Sequence, residues 1–291
     1  MNTTNGIRAA ALLSLAALLG CSGGSTLPPL VEQEHPEQPG KFVWHNLITP
    51  DPEAARAFYS GLFGWELEVL EEGKYTELSY QGRPLGGIVD AGRAEGSPKS
   101  AVWLSGLSVP DVDEAMKRAV AAGAKQLAAA TDLPDIGRAA VISDSEGAVV
   151  QLVRSKRGDP PSSLPAVHTW LWHELTANDP ARAAAFYENL VGYQIELREA
   201  NEAAGYRLLV RDGRPHGGIL LNPFEGTRPA WVPFVRVADP AALLPRVVAL
   251  GGQVVLAPRK DLRGGTVALV LDPSGAPLAL QKWNPKQGDQ F

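Results

Sequence analysis

A single cysteine, Cys21, stands among the 291 residues, so the chain can form no internal disulfide and no zinc site built from clustered cysteines. It has no basic cluster, and its formal net charge is −5, which argues against nucleic acid as a partner. The apolar run Ala9 to Leu19 is too short to span a bilayer. A nucleotide-binding glycine-rich loop, a Gly-x-Ser-x-Gly elbow and a His-Glu-x-x-His helix are all missing. The composition left by these exclusions is that of an ordinary globular chain, 45% hydrophobic and 20% charged, with length for two domains.

The chain writes one segment twice. Trp44-His45-Asn46-Leu47, Ala57-Phe58-Tyr59 and Gly64-Trp65 are answered by Trp172-His173-Glu174-Leu175, Ala185-Phe186-Tyr187 and Gly192-Tyr193, each 128 positions later. Arg83-Pro84-Leu85-Gly86-Gly87-Ile88 pairs with Arg214-Pro215-His216-Gly217-Gly218-Ile219 at an offset of 131, through a short loop insertion. Trp103 and Trp231, Gly123 and Gly251, and the turns Asp144 to Ala148 and Asp272 to Ala276 return to 128. A period of this size is a small domain rather than a solenoid unit, which indicates an internal duplication. The expected division is a signal segment at 1–20, a flexible tether at 21–40, a module at 41–155, a linker at 156–166, a second module at 167–285 and a tail at 286–291.

Within each module the pattern reads as strand, helix and three strands, with a second helix inserted. Asp51-Pro52 and Asp179-Pro180 start helices whose apolar face carries Phe58 and Tyr59, or their repeats, and Gly64 and Gly192 end them. Strands are expected at Phe42–Thr49, Tyr75–Tyr80, Pro84–Val89, Ala101–Val109, Arg138–Ser143 and Val149–Val153, with a helix from Asp111 or Asp113 to Gly123. Pro245 should kink or shorten the matching helix after Asp239.

Two resemblances add to this. Arg8, the apolar run and Leu18-Leu19-Gly20-Cys21 resemble the lipobox of bacterial lipoproteins. The resemblance implies cleavage before Cys21, acylation there and a lipid-anchored place in the cell envelope. Ser22 would favour outer-membrane sorting in a host with two membranes, and a cleaved signal with an incidental cysteine stays open. The tandem modules, with their Phe-Tyr helices, Gly-Trp or Gly-Tyr ends, Gly-Gly-Ile strands and Asp-x-x-Gly-Ala turns, resemble the vicinal oxygen chelate superfamily over residues 41–285. Glyoxalases, bleomycin-resistance proteins and extradiol dioxygenases belong to it. The resemblance implies an α+β fold of two tandem βαβββ-type modules whose curved mixed sheets pair around a cavity, which holds a divalent ion in metal-dependent members.

The family's ligand positions, carried over, fall on Trp44, Trp172, Gln151 and Ala279, none of them a good ligand for a catalytic divalent ion. His45 and His173 lie next door as weak metal candidates, but strand alternation puts His45 on one face with Val43 and Leu47, and His173 with Leu171 and Leu175, where they pack. The expectation is therefore no cofactor, with a divalent metal as the minority alternative. Trp44, Asn46, Trp103, Gln151, Trp172, Glu174 and Trp231 are the candidate walls and polar groups of a small-molecule pocket, unless the tryptophans simply fill the core. Glu174 is a weak candidate for a general base, and His216 is a lone histidine without a repeat. Three readings follow: a metal-free binding protein for a small hydrophobic or aromatic molecule, a lyase or dioxygenase-like enzyme with an atypical metal set, and a non-catalytic structural module. The expected partners are that small molecule and, through the anchor alone, the membrane; the modules pair within a pseudo-twofold monomer or across a homodimer.

Overall fold

The computed structural model describes residues 27–70, 73–92, 99–198 and 205–283. The signal segment, the lipobox with Cys21 and the tail at 286–291 lie outside the described residues. No helix among the described residues is long and apolar enough to cross a membrane.

Each module runs through the strand–helix–three-strand unit twice, not once. The first is β1 (Phe42–Thr49), α1 (Pro52–Phe63), β2 (Glu66–Leu70), β3 (Tyr75–Tyr80) and β4 (Arg83–Asp90), then β5 (Val102–Ser108), α2 (Val112–Ala121), β6 (Lys125–Leu133), β7 (Gly137–Ser143) and β8 (Val149–Ser155). The second repeats this as β9 (Trp170–Ala177), α3 (Pro180–Val191), β10 (Gln194–Arg198), β11 (Tyr206–Arg211), β12 (Arg214–Leu221), β13 (Ala230–Arg236), α4 (Pro240–Ala249), β14 (Gln253–Leu256), β15 (Val267–Leu271) and β16 (Pro277–Gln281). Two eight-stranded mixed sheets result, ordered β2-β3-β4-β1-β5-β8-β7-β6 and β10-β11-β12-β9-β13-β16-β15-β14. The strands absent from the sequence reading, β2, β6, β10 and β14, are the four sheet edges. Their side chains are mostly exposed or half-buried, so they carry no alternation of apolar and polar residues to announce them.

The helix signals act as their chemistry dictates. Asp51 and Asp179 accept from the free amides of the first turn, Pro fills the position whose N–H has no partner, and Gly64 and Gly192 take the left-handed cap at φ 72°. Asp111, not Asp113, caps α2. Pro245 sits inside α4, yet α4 runs for ten residues, as α2 does.

One face of each sheet carries the helices, and through it the modules join. The α1 half of module 1 shares a core with the α4 half of module 2, around Phe58, Leu62, Val247 and Leu278. The α2 half packs in the same way on the α3 half, around Met116, Leu152, Phe186 and Leu190. On the opposite, inner face, Tyr75 of β3 and Val141 of β7 fall in one cluster, although four strands lie between them in sheet order. The sheet therefore curls until its two halves meet, without closing. Module 2 does the same, bringing Tyr206 and Leu208 of β11 against Val267 of β15.

The stretch expected to be a flexible tether is packed over its described part. Leu30 is buried in a cluster with Val43, Trp44, Leu133, Ile136 and Val153, and Leu27 packs beside it. The same segment is tied to the inter-module linker: His35 N–H donates to the Arg157 carbonyl at 2.8 Å and Gln38 N–H to the Asp159 carboxylate at 2.6 Å. Proline and two leucines supply enough apolar area to hold what a Gly/Ser count reads as loose.

Candidate functional site

The expected site residues divide between two places. A β-bulge between Phe42 and Trp44 sends Phe42, His45 and Leu47 to the helix-covered face and leaves Trp44 and Asn46 on the inner face, so Val43, expected beside His45, clusters with Trp44 instead. Module 2 follows suit, with Trp172 and Glu174 inside. Gln151, flanked on β8 by Val150 and Leu152 of the helix face, joins Trp44.

Trp103 and Trp231, expected as pocket walls, lie instead on the helix-covered face, in the two cores that join the modules. Trp103 Nε1 donates to Tyr59 Oη at 3.1 Å, and Tyr59 donates to Asp272 of the other module at 3.1 Å. Reciprocally, Trp231 donates to Tyr187 at 2.7 Å and Tyr187 to Asp144 at 2.8 Å. The other carboxylate oxygen of each aspartate accepts two amides of its own turn, from Glu146 and Ala148 or from Ser274 and Ala276. These chains let the interface bury polar groups without leaving them unmet, a failure that costs ~1–3 kcal/mol per group. Burial raises the carboxyls of Asp144 and Asp272 above their ordinary value, opposed by those hydrogen bonds.

His45 and His173 meet at the centre of the interface. Their Nε2 atoms are 2.6 Å apart, so one ring donates to the other. Trp170 stacks on His45 at 4.3 Å and Phe42 on His173 at 4.1 Å, making a four-ring stack across the two modules. Burial pulls the His45 imidazole down to about 3, only partly offset by the Leu85 backbone, and takes His173 well below its ordinary value with help from His45. Both rings are neutral packing partners. His216, half-buried beside Tyr193, is lowered first by burial.

The two inner faces share a frame and differ in chemistry. Each has a tryptophan beside a tyrosine hydroxyl: Trp44 by Tyr75, and Trp172 donating to Tyr206 at 3.3 Å. The second glycine of each Gly-Gly pair exists for that tyrosine, since a Cβ on Gly87 or Gly218 would collide with the hydroxyl of Tyr75 or Tyr206. Burial pushes both phenols up.

In module 1, Trp44 Nε1 donates to Asn46 Oδ1 at 3.2 Å. Gln151 Oε1 is buried near Gly106 and has no hydrogen-bond partner among the described residues. Glu77, on β3 in register with Tyr75, is half-buried, and burial followed by Glu68 and Glu32 raises its carboxyl.

In module 2 the asparagine becomes Glu174. Its carboxylate accepts from Tyr206 Oη at 2.8 Å and is ion-paired with Arg263, whose other arm donates to Gln281 at 3.1 Å. Arg263 lies over the rings of Phe234 and Tyr206, at 5.4 and 6.0 Å, and stands in the left-handed region at φ 46°, in a 3-10 turn with Gly264 and Gly265.

Sequence reasoning missed Tyr75, Tyr206, Glu77, Arg263 and Gln281. The tyrosines carried a usable signal, since 206 − 75 repeats the 131 offset of the Gly-Gly strands. Arg263 carried none: its counterpart 128 positions earlier is Asp135.

Neither face offers a fit for a divalent ion. Module 1 presents carboxamides, an indole, a phenol and, towards the sheet edge, Glu77 with its cross-strand partner Glu68; the single carboxylate of module 2 is already held by a guanidinium whose charge opposes a cation. No group of three or more His, Cys, Asp or Glu side chains is placed to hold a metal among the described residues. A catalytic site of the usual kind takes several imidazole or carboxylate ligands.

The comparisons with known proteins agree with this architecture. The family described as Glyoxalase/Bleomycin resistance protein/Dioxygenase superfamily matches residues 41–152, and a Glyoxalase-like domain matches residues 172–281. The Mycobacterium bovis protein named "Putative glyoxylase CFP32" is 31% identical over 250 residues, covering 84% of this chain and 95% of its own length. The "Anthracycline biosynthesis protein DauV" of a Streptomyces species is 28% identical over 256 residues, 82% of this chain and 91% of its own. Among solved structures, the Mn(II)-bound glyoxalase from Novosphingobium aromaticivorans overlays with a TM-score of 0.59 at 15% identity, covering 84% of this chain and 82% of that one. The homoprotocatechuate 2,3-dioxygenase from Arthrobacter globiformis gives 0.58 at 13%, covering 88% and 83%. At those identities the structural likeness speaks for the fold alone. The chain belongs to the glyoxalase/bleomycin resistance protein/dioxygenase superfamily, with two tandem domains of that fold.

Proposed function

We propose that this two-domain member of the superfamily is a lipid-anchored protein of the cell envelope that binds a small hydrophobic or aromatic molecule on its inner faces without a metal. One observation carries the reading. Each inner face puts an indole and a phenol among aliphatic side chains with a few polar groups, the composition of a small-molecule site, while no group of three donors for a divalent ion occurs among the described residues. The anthracycline name borne by some relatives suits an aromatic ligand. The glyoxylase name borne by others favours the enzymatic alternative, with His45, His173 or Glu174 in an atypical metal set. The hold of Arg263 and Tyr206 on Glu174 speaks against its use as a metal ligand.

The test is elemental analysis of the full chain purified without chelator, with thermal-shift titrations against Zn, Mn and Fe(II) and against a panel of aromatic compounds. The expected result is no stoichiometric metal, and a rise in melting temperature with an aromatic compound alone, because a ligand of the folded state stabilises by mass action. Stoichiometric metal lost on Glu174→Ala or His45→Ala would replace this reading with the metalloenzyme. The anchor is tested separately by labelling cells with an alkyne fatty acid: the wild-type chain takes the label and Cys21→Ala does not.

A further inference from the structure

The inner face of module 1 combines two observations that its counterpart lacks. A buried carbonyl oxygen, Gln151 Oε1, has no partner among the described residues, and a segment from outside the module, Leu27-Pro28-Pro29-Leu30, lies on the same cluster. The two prolines fix their own φ and push the residues before them into an extended form. An extended proline-rich chain turns about once in three residues, so Leu27 and Leu30 share a side. Both pack on the cluster that contains Trp44, Ile136 and Val153, and Val153 shares the inward side of β8 with Gln151.

We infer that Leu27 and Leu30 occupy the apolar part of a site for a hydroxylated ring compound, whose O–H would donate to Gln151 Oε1. The inference rests on the small-molecule reading above and specifies it: the ligand class is phenolic, the module is the first, and the chain carries its own competitor. Leucine matches the apolar surroundings but has no donor to offer, which leaves the glutamine oxygen unmet; a phenol of similar breadth supplies both. The strap is also placed to leave. It brings Glu32 towards Glu77, whose like charge opposes its seating, and its polar ties to 154–162 are backbone bonds, the Gln38 N–H on the buried Asp159 and the exposed Arg154–Glu37 pair. Among the described residues no such strap covers the inner face of module 2, where Leu262 packs on the cluster and Arg263 pairs with Glu174.

The experiment is equilibrium dialysis of the full chain against 2-naphthol and 2-methylnaphthalene, which match in size but differ in having a donor. The wild-type chain should prefer 2-naphthol. Leu27→Ser with Leu30→Ser should raise affinity for both compounds by ~10-fold, the scale of removing a buried leucine as competitor. Gln151→Leu should erase the preference while leaving 2-methylnaphthalene bound. In the wild-type chain, hydrogen exchange over residues 27–34 should quicken when 2-naphthol saturates the site, a readout that survives even if the strap variant folds poorly. Unchanged affinity in the strap variant, or exchange that slows or stays constant, would overturn the strap as competitor. A preference that persists in Gln151→Leu would overturn the assigned acceptor. Failure of every aromatic compound to bind any variant would bring down the small-molecule reading itself.

Discussion

Laid over one another at their 128-residue offset, the two modules agree at the interface and part company on the inner faces. Trp103 and Trp231, Tyr59 and Tyr187, Asp144 and Asp272, and His45 and His173 are identical pairs, and each pair builds the contact between modules. Asn46 faces Glu174, Gln151 faces Ala279, Val153 faces Gln281 and Asp135 faces Arg263, and all but Asp135 lie on or reach into an inner face. A duplicated chain must keep whatever lets the copies recognise each other, since every interface residue meets its repeat's surroundings. The inner faces do not meet the other module and are free to diverge. The inner faces keep a common frame in Trp44 and Trp172 and in Tyr75 and Tyr206, so the breakdown of repetition marks where the two sites differ.

The comparison can be broken first at the interface. Asp272→Ala removes the acceptor of Tyr59 and of two turn amides at once, and should cost about 3 kcal/mol in urea unfolding, with Asp144→Ala close to it. A cost near zero would mean that the reciprocal chains are incidental. Next comes the inner face of module 2. Arg263→Met strands Glu174 and should cost about 3 kcal/mol, whereas Glu174→Gln with Arg263→Met should recover most of it. Additive losses in that cycle would remove the ion pair from the account.

The histidine pair sharpens the comparison through pH. Unfolded histidine takes its proton near 6.5, but folded His45 waits until about 3 and His173 also lies well below its ordinary value. Between those values the unfolded chain binds more protons, so stability is complete above about pH 6.5 and falls as the pH drops towards 3, by up to ~1.4 kcal/mol per unit per histidine. Asp144 and Asp272 act in the opposite sense, since their raised carboxyls favour the folded state until they lose their protons as pH rises. Subtracting the profile of His45→Gln from that of the wild type isolates the histidine part; identical slopes would contradict a buried neutral pair. The smallest expected effect is on the inner face of module 1, where Gln151→Leu should raise stability by about 1 kcal/mol by removing an unmet buried oxygen. A loss of 1 kcal/mol or more would show that the oxygen has a partner.

What the sequence made legible follows the same division. The 128-residue period, the helix caps at Asp51 and Gly64 and the inward alternation of Trp44 and Asn46 were readable because they depend on local chemistry or on repetition. The edge strands β2 and β6 were not, because exposed edges need no apolar alternation. Trp103 and Trp231 misled, since a tryptophan in register serves an interface as well as a pocket. Arg263 was illegible because its role depends on a loop that folds back over Glu174 from 89 positions away. Leu30 was read as tether because composition says nothing about where two leucines and two prolines land.

The most direct test of a metal-free aromatic site is isothermal titration of 2-naphthol into the full chain after exhaustive chelation, with Trp44→Leu and Trp103→Phe alongside. Saturable binding by the chelated wild type, weakened at least tenfold by Trp44→Leu and little changed by Trp103→Phe, is the predicted result. Binding that appears only after Zn, Mn or Fe(II) is restored, or that ignores Trp44, would contradict it.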